Sequence, residues 1–255
     1  MADLKTLLET AQPDPGAIAQ RARRIHQATL SRSRHLDGPN FTWIHPHDLS
    51  TLFDEIDKES FGGSVRMRLG TTPLTFRLSR RMSQRAGTTT RFPQGYTIKI
   101  STEILFRNFT REDHRPIAAC GLPCSDRLEA LQRVMEHELV HLIEMLLWVD
   151  SSCKEGRFQE IAWRFFGHTD HRHALITPRE QAIATSGILP GNRVRFLFEG
   201  VPLTGFVNRV TKRATVLVAD PQGEPYSDGG RYRRFYVPLT LLEVLPAEDH
   251  TGRNA

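Results

Sequence analysis

A chain of 255 residues with 39% hydrophobic and 25% charged residues has a folded, globular composition, which excludes fibrous, collagen-like and disordered classes. At roughly 100–200 residues per domain it has room for one large domain or two modest ones. The net charge of +5 is uneven: residues 61–116 carry 11 Lys/Arg against 3 Asp/Glu, whereas residues 117–190 carry 7 against 10. A basic part beside a mildly acidic part points to a polyanion-facing surface next to a cation site, with incidental solvated arginines as the bland alternative. No run approaches the roughly 18 apolar residues of a membrane span, so no membrane association is expected. The opening Met-Ala-Asp-Leu-Lys lacks a basic region followed by an apolar core, and three cysteines (Cys120, Cys124, Cys153) are too few for a disulfide framework. A reducing, cytoplasmic setting is therefore the expectation.

In chain order, Leu4, Leu7 and Leu8 recur at helical spacing before a break at Pro13 and Pro15. An Arg-rich second helix is predicted over 17–35, and a third over 47–59 with Leu49, Leu52, Phe53 and Ile56 on one face. The period then shortens. Val65, Met67 and Leu69 alternate with arginines, as do Leu74, Phe76 and Leu78 with polar residues, and Tyr96, Ile98 and Ile100 likewise. These read as strands of a small antiparallel sheet, with Gly70, Gly87 and Gly95 as turns. Ser125 or Asp126 caps a helix predicted to run to about Val149, whose wide apolar face predicts burial. A further helix follows over 157–166, ended by Gly167, and a short one starts near Pro178.

From Gly187 the pattern becomes short strands: 194–198, 203–210, 215–220, 232–237 and 241–245. Five short strands in about sixty residues predict a small β-barrel. The expected organisation is an N-terminal helical region (1–60), a central domain (61–186), a barrel (187–246) and a flexible tail (247–255). The fold class is α+β followed by an all-β module.

His137-Glu138-Leu139-Val140-His141 is an HExxH sequence inside the long apolar helix. Positions i and i+4 share a helix face, so both imidazoles can reach one Zn²⁺, with Glu138 placed to take a proton from its water. Two histidines and a glutamate interrupting an apolar helix are costly unless partnered, which favours a metal site over chance. The alternative is a pair of core histidines bonded to backbone or to Glu136 and Glu144.

Segment 65–175 resembles the SprT-like zinc metallopeptidases, whose eukaryotic branch includes the Spartan proteases acting on DNA–protein crosslinks. The resemblance rests on the strand run 74–91, the strand YTIKIS (96–101), the helix RVMEHELVHLIEML (133–146) and RFQEIAWRFFGHTDHRH (157–173). It implies a zincin-like core, His137 and His141 as zinc ligands, Glu138 as the catalytic carboxylate, and a protein substrate. The family's third ligand is the histidine of a His-Gly pair; here the stretch reads Ser152-Cys153-Lys154-Glu155-Gly156. Glu155 is taken as the third ligand, with Cys153 as runner-up and His168, His171 and His173 as supporting groups. Gapless counting falls on Lys154, which cannot ligate while protonated. Cys120 and Cys124 read as ordinary thiols.

The family's frequent zinc ribbon is replaced by the barrel, which is similar to KOW/SH3-like modules over 194–218. Arg209, Lys212, Arg213, Arg231, Arg233 and Arg234 are available for phosphates, and Tyr232, Phe235 and Tyr236 for base stacking. The expected function is zinc-dependent hydrolysis of peptide bonds in nucleic-acid-associated proteins, with DNA or RNA bound through the basic sheet and barrel. The alternative is a nucleic-acid-binding or scaffold protein with a structural zinc and no proteolysis.

Overall fold

In a computed structural model, which describes residues 3–111 and 113–246, the chain divides into two compact units, Met1–Ile176 and Thr177–Ala255. No helix among the described residues is long and apolar enough to cross a membrane. The expected tail 247–255 lies outside the described residues.

The first unit opens with helices α1 (Leu4–Thr10) and α2 (Pro15–Arg32), capped by the carboxylates of Asp3 and Asp14, with Pro15 at the first position of α2, where its missing N–H costs nothing. Helix α3 (Pro46–Phe61) begins with a reciprocal cap: the His45 ring accepts from a backbone N–H of the first turn, and the Asp48 side chain accepts from the His45 N–H. Its apolar stripe of Leu49, Leu52, Phe53 and Ile56 is fully buried. These helices share one continuous core with everything up to Ile176, so the expected separate N-terminal region is part of the same unit.

The segment read as the first strand is instead a short helix, α4 (Ser64–Leu69). The Asp57 carboxylate at the end of α3 accepts the N–H groups of Val65 and Arg66, supplying a ready-made helix start. Burial follows the i, i+4 pair Val65 and Leu69, while Met67 is 57% exposed. A strand would have buried all three.

Strands β1 (Leu74–Ser79), β2 (Gly87–Phe92) and β3 (Gly95–Ser101) form a sheet in the order β1-β3-β2. The expected antiparallel arrangement holds for β2 with β3, but β1 runs parallel to β3, so the sheet is mixed. One face carries the rows Phe76–Ile98–Thr89 and Leu78–Ile100–Gly87, and the other carries Arg77–Lys99–Thr88 and Thr75–Thr97–Thr90. Gly87 is thus the first residue of an edge strand and not a turn.

After α5 (Thr102–Leu105), the two-residue strands β4 (Ala118–Ala119) and β5 (Leu122–Pro123) lead to α6 (Arg127–Leu147), whose first turn is capped by Asp126. Arg127 anchors the start of α6: its guanidinium donates to the carbonyls of Asn40, Phe41, Leu105 and Asn108. Helix α7 (Gly156–Phe166) ends at Gly167 in the left-handed conformation, and β6 (His173–Ala174) returns to pair with β4. Arg164 of α7 donates to the Leu8 and Ala11 carbonyls, and Arg21 of α2 donates to the Phe165 carbonyl, tying the chain's first helices to α7.

The second unit contains α8 (Pro178–Ser186) and strands β7 (Arg193–Phe198), β8 (Val201–Val210), β9 (Arg213–Pro225), β10 (Arg231–Pro238) and β11 (Glu243–Val244). The division falls after Ile176 rather than at 187, because Ala182 and Ile183 of α8 pack on the core of this sheet. The strands are antiparallel in the order β10-β9-β8-β7-β11, and the sheet does not close into the expected barrel. β11 pairs with β7 and β10 with β9, and no ladder joins these two outer strands among the described residues. Phe235 lies in the core of this unit, so it is not available for base stacking, whereas Tyr236 is 65% exposed.

Candidate metal centre

Nearly every residue of α6 from Arg127 to Glu144 is buried, the charged ones included. The charged groups therefore need partners, and tracing them separates structural residues from available ones. Glu136 accepts from Gln132 at 2.9 Å, from Arg133 at 3.1 Å, and lies 3.0 Å from His168 Nε2. Burial alone would raise its carboxyl, but Arg133 and His168 pull it below the usual range. His168 is thereby committed to a structural bond.

His137 and His141 converge, their Nε2 atoms 3.2 Å apart. The hydrogen-bond inventory assigns the His141 tautomer. The Ser151 hydroxyl donates to Glu144 Oε2 at 2.7 Å, and Glu144 Oε1 accepts from Arg157 Nε at 2.7 Å. Ser151 Oγ must then accept from His141 Nδ1–H at 2.6 Å, which leaves the His141 Nε2 lone pair facing His137. His137 Nδ1 is buried with no hydrogen-bond partner among the described residues. Placing the His137 proton on Nδ1 sets two lone pairs against each other; placing it on Nε2 leaves a bare Nδ1 lone pair in a dry site. A cation between the two Nε2 atoms removes the opposition. Two nitrogens each about 2.0–2.1 Å from a tetrahedral ion lie about 3.3 Å apart, close to the separation found.

Both rings are held neutral, as ligation requires. Burial, then the imidazoles of His173 and His141, push His137 far below the usual histidine range. Burial pulls His141 down to about 4, against the opposing pull of Glu144. The Phe158 ring packs against both imidazoles, with centroids 4.8 and 4.5 Å away.

The third member of this group is Cys153: ligand atoms of His137, His141 and Cys153 all lie within 4.8 Å of one another. Glu155, the expected third ligand, is an exposed residue at the N-terminus of α7 and belongs to no such group among the described residues. A turn closed by the Glu155 N–H donating to the Ser152 carbonyl places Cys153 inside it and Glu155 at its outer end. A second group, Cys120, His137 and His173, shares His137. His171 lies 3.5 Å from Asp170 instead.

Glu138 points to the sheet. Its Oε2 accepts from the Thr89 hydroxyl at 2.8 Å, and the same hydroxyl reaches the Glu138 carbonyl at 2.9 Å. A Cβ on Gly87 would lie 2.5 Å from Glu138 Oε1 and 2.7 Å from Cγ, so the glycine of β2 makes room for this carboxyl. Burial raises the Glu138 carboxyl to about 7, partly offset by the Thr89 hydrogen bond and by Arg85. Among the described residues it has no direct ion-pair partner within β2 or α6, in contrast to Glu136 and Glu144. Its charge also helps raise the Cys153 thiol, after burial, so the two groups sense each other.

His137, Glu138 and His141 thus stand where the HExxH spacing puts them. Gly87, Thr89, Ser151 and Phe158 were missed. None carries a sequence signal, because each acts through a contact between elements distant in the chain. No protein-family model, curated protein or solved structure matches this chain.

Proposed function

We propose that this chain is a zinc-dependent peptidase of zincin-like design, and the convergence of His137 and His141 Nε2 with Cys153 beside a buried, unpaired Glu138 carries that reading. Bound zinc would supply Lewis acidity, polarising a carbonyl and lowering the pKa of its water toward about 7. His137, His141 and Cys153 would hold the ion, which leaves one position of a tetrahedron for water or substrate. Glu138 takes the water's proton and delivers it to the leaving amine; a carboxyl raised to about 7 is matched to both tasks at neutral pH. Thr89 fixes the carboxyl and Gly87 leaves it space. The Ser151–Glu144–Arg157 chain fixes the His141 tautomer. Strand β2 is the sheet edge that carries both Glu138 contacts, so an extended peptide added along it would lie across the site.

The reading is tested with purified protein and an unfolded protein substrate. Proteolysis should be abolished by a zinc chelator and restored by zinc. Unchanged proteolysis after verified metal removal overturns it. Gly87→Ala should lower turnover about 100-fold by displacing the carboxyl, since misplacement near 1 Å costs that much. Its circular dichroism should be unchanged, because Gly87 does not use a positive φ.

The substrates we infer are proteins associated with nucleic acid. The supporting features are the Arg77–Lys99 row on the outer face of the sheet and the exposed Arg209, Arg213, Arg231 and Arg233 with Tyr236 in the second unit. Lys212 is also on this unit, and Arg234 is paired with Glu224. Binding to DNA or RNA should weaken linearly with log salt concentration. Absent or salt-insensitive binding removes this part of the proposal and leaves the peptidase intact.

A further inference from the structure

The Cys120–His137–His173 group is not used by the reaction above, and four observations converge on it. First, Cys120 Sγ lies 3.5 Å from His173 Nδ1 and 3.5 Å from the Arg133 carbonyl oxygen. The thiol can donate to the carbonyl while His173 Nδ1–H donates to the sulfur, so a bound ion would replace the second of these contacts. A sulfur and a nitrogen on one tetrahedral ion, with bonds of about 2.3 and 2.0–2.1 Å, are about 3.5–3.6 Å apart, which is the separation seen.

Second, His137 keeps a spare nitrogen. Its Nε2 faces His141, while Nδ1 is buried without a partner on a residue only 5% exposed. The His173 ring is a neighbour of His137, with centroids 4.7 Å apart. Ligand atoms of His137, Cys120 and His173 all lie within 4.8 Å of one another, and a buried nitrogen on the shared residue is left without a partner.

Third, the backbone holds the thiol in place at a cost. Cys120 has φ 54°, a left-handed conformation unusual for a residue with a side chain. Three backbone hydrogen bonds to residues 169–172 hold it: the Cys120 N–H donates to the Arg172 carbonyl, and the Cys120 carbonyl accepts from the N–H groups of Thr169 and Asp170. Fourth, the β4–β6 pairing sets Ala119 opposite His173, so the loop carrying Cys120 and the strand carrying His173 are locked to each other.

We propose that Cys120, His173 and His137 form a further metal position, suited to a soft or borderline ion such as Zn²⁺ or Co²⁺. Binding replaces the Cys120 S–H bond with a sulfur–metal bond, and the proton leaves to solvent. This deepens the peptidase reading, because the new position draws on an imidazole that the first one also needs. An ion in one competes for His137 with an ion in the other.

Co²⁺ is the probe, because its thiolate complexes absorb in the near ultraviolet, and single-thiol variants of the full chain separate the two positions. With Cys124→Ser and Cys153→Ser, only Cys120 remains. Cobalt should still give the thiolate absorption, which should survive His141→Ala and be lost with either His173→Ala or the closer-shaped His173→Gln. Circular dichroism confirms that each variant is folded. No thiolate absorption in the Cys120-only protein, or absorption indifferent to both His173 substitutions, overturns the inference. The complementary protein, with Cys120→Ser and Cys124→Ser, reads the first position through Cys153. Absorption there but not in the Cys120-only protein defeats this inference while sparing the proposed function; the converse defeats the Cys153 assignment alone.

Discussion

Glu138→Gln should reduce peptide hydrolysis by about 10²–10⁴-fold, the range that positioned general acid–base groups supply. Zinc content should be unchanged, because Glu138 belongs to neither group of ligating residues. The amide is close in shape to the carboxyl it replaces, and its oxygen can still accept from the Thr89 hydroxyl, so the fold should tolerate it. Turnover of an unfolded protein, measured beside metal analysis, checks both halves. Equal turnover by the two proteins, with contaminating proteases excluded, removes Glu138 from the reaction. A loss of zinc together with activity would instead make it a support of the ion.

Cys153→Ala should weaken zinc binding by more than about 100-fold, beyond the 10–100-fold typical of losing a group that merely orients a ligand. Glu155→Ala should leave affinity within a factor of about two, since metal affinity answers to groups in contact with the ion or its ligands. It should also leave α7 intact, because the Glu155 side chain makes no capping bond there. Competition against a chromophoric chelator measures both. If Glu155→Ala releases zinc and Cys153→Ala does not, the sequence-based choice of ligand is reinstated.

The difference between those two residues shows where sequence reading stops. The HExxH histidines share a helix face by arithmetic, so their meeting follows from spacing alone. The third member of the group comes from a turn, closed by the Ser152–Glu155 hydrogen bond, and no periodicity encodes that Cys153 and not Glu155 joins the two histidines. The same limit explains α4. Five alternating residues satisfy both a strand and a helix with one exposed methionine, and the deciding group, Asp57, acts from the neighbouring helix.

Long amphipathic segments fared differently. α2, α3, α6 and α7 were legible because several turns repeat one pattern, and two of their ends (Asp126, Gly167) carry recognised capping chemistry. Strand direction was not legible: the alternation in β1 and β3 is the same whether they run parallel or antiparallel. Gly87 looked like a turn because glycine ordinarily marks one; here its missing side chain accommodates a carboxyl from another element. The strands of the second unit were legible, but their spacing does not say whether the outer strands β10 and β11 pair, and among the described residues they do not.

The clasp of Arg164 and Arg21 across α1, α2 and α7 has a consequence for how the first unit is made. Its earliest helices dock against one of its latest, so these contacts join residues more than 140 positions apart. Such distant pairings are slow to find, because the intervening chain must lose its freedom before they reward it. During synthesis, the contacts of α1 and α2 with α7 can form only after α7 has emerged. The unit therefore closes these first-to-last contacts only when nearly all of it has been made.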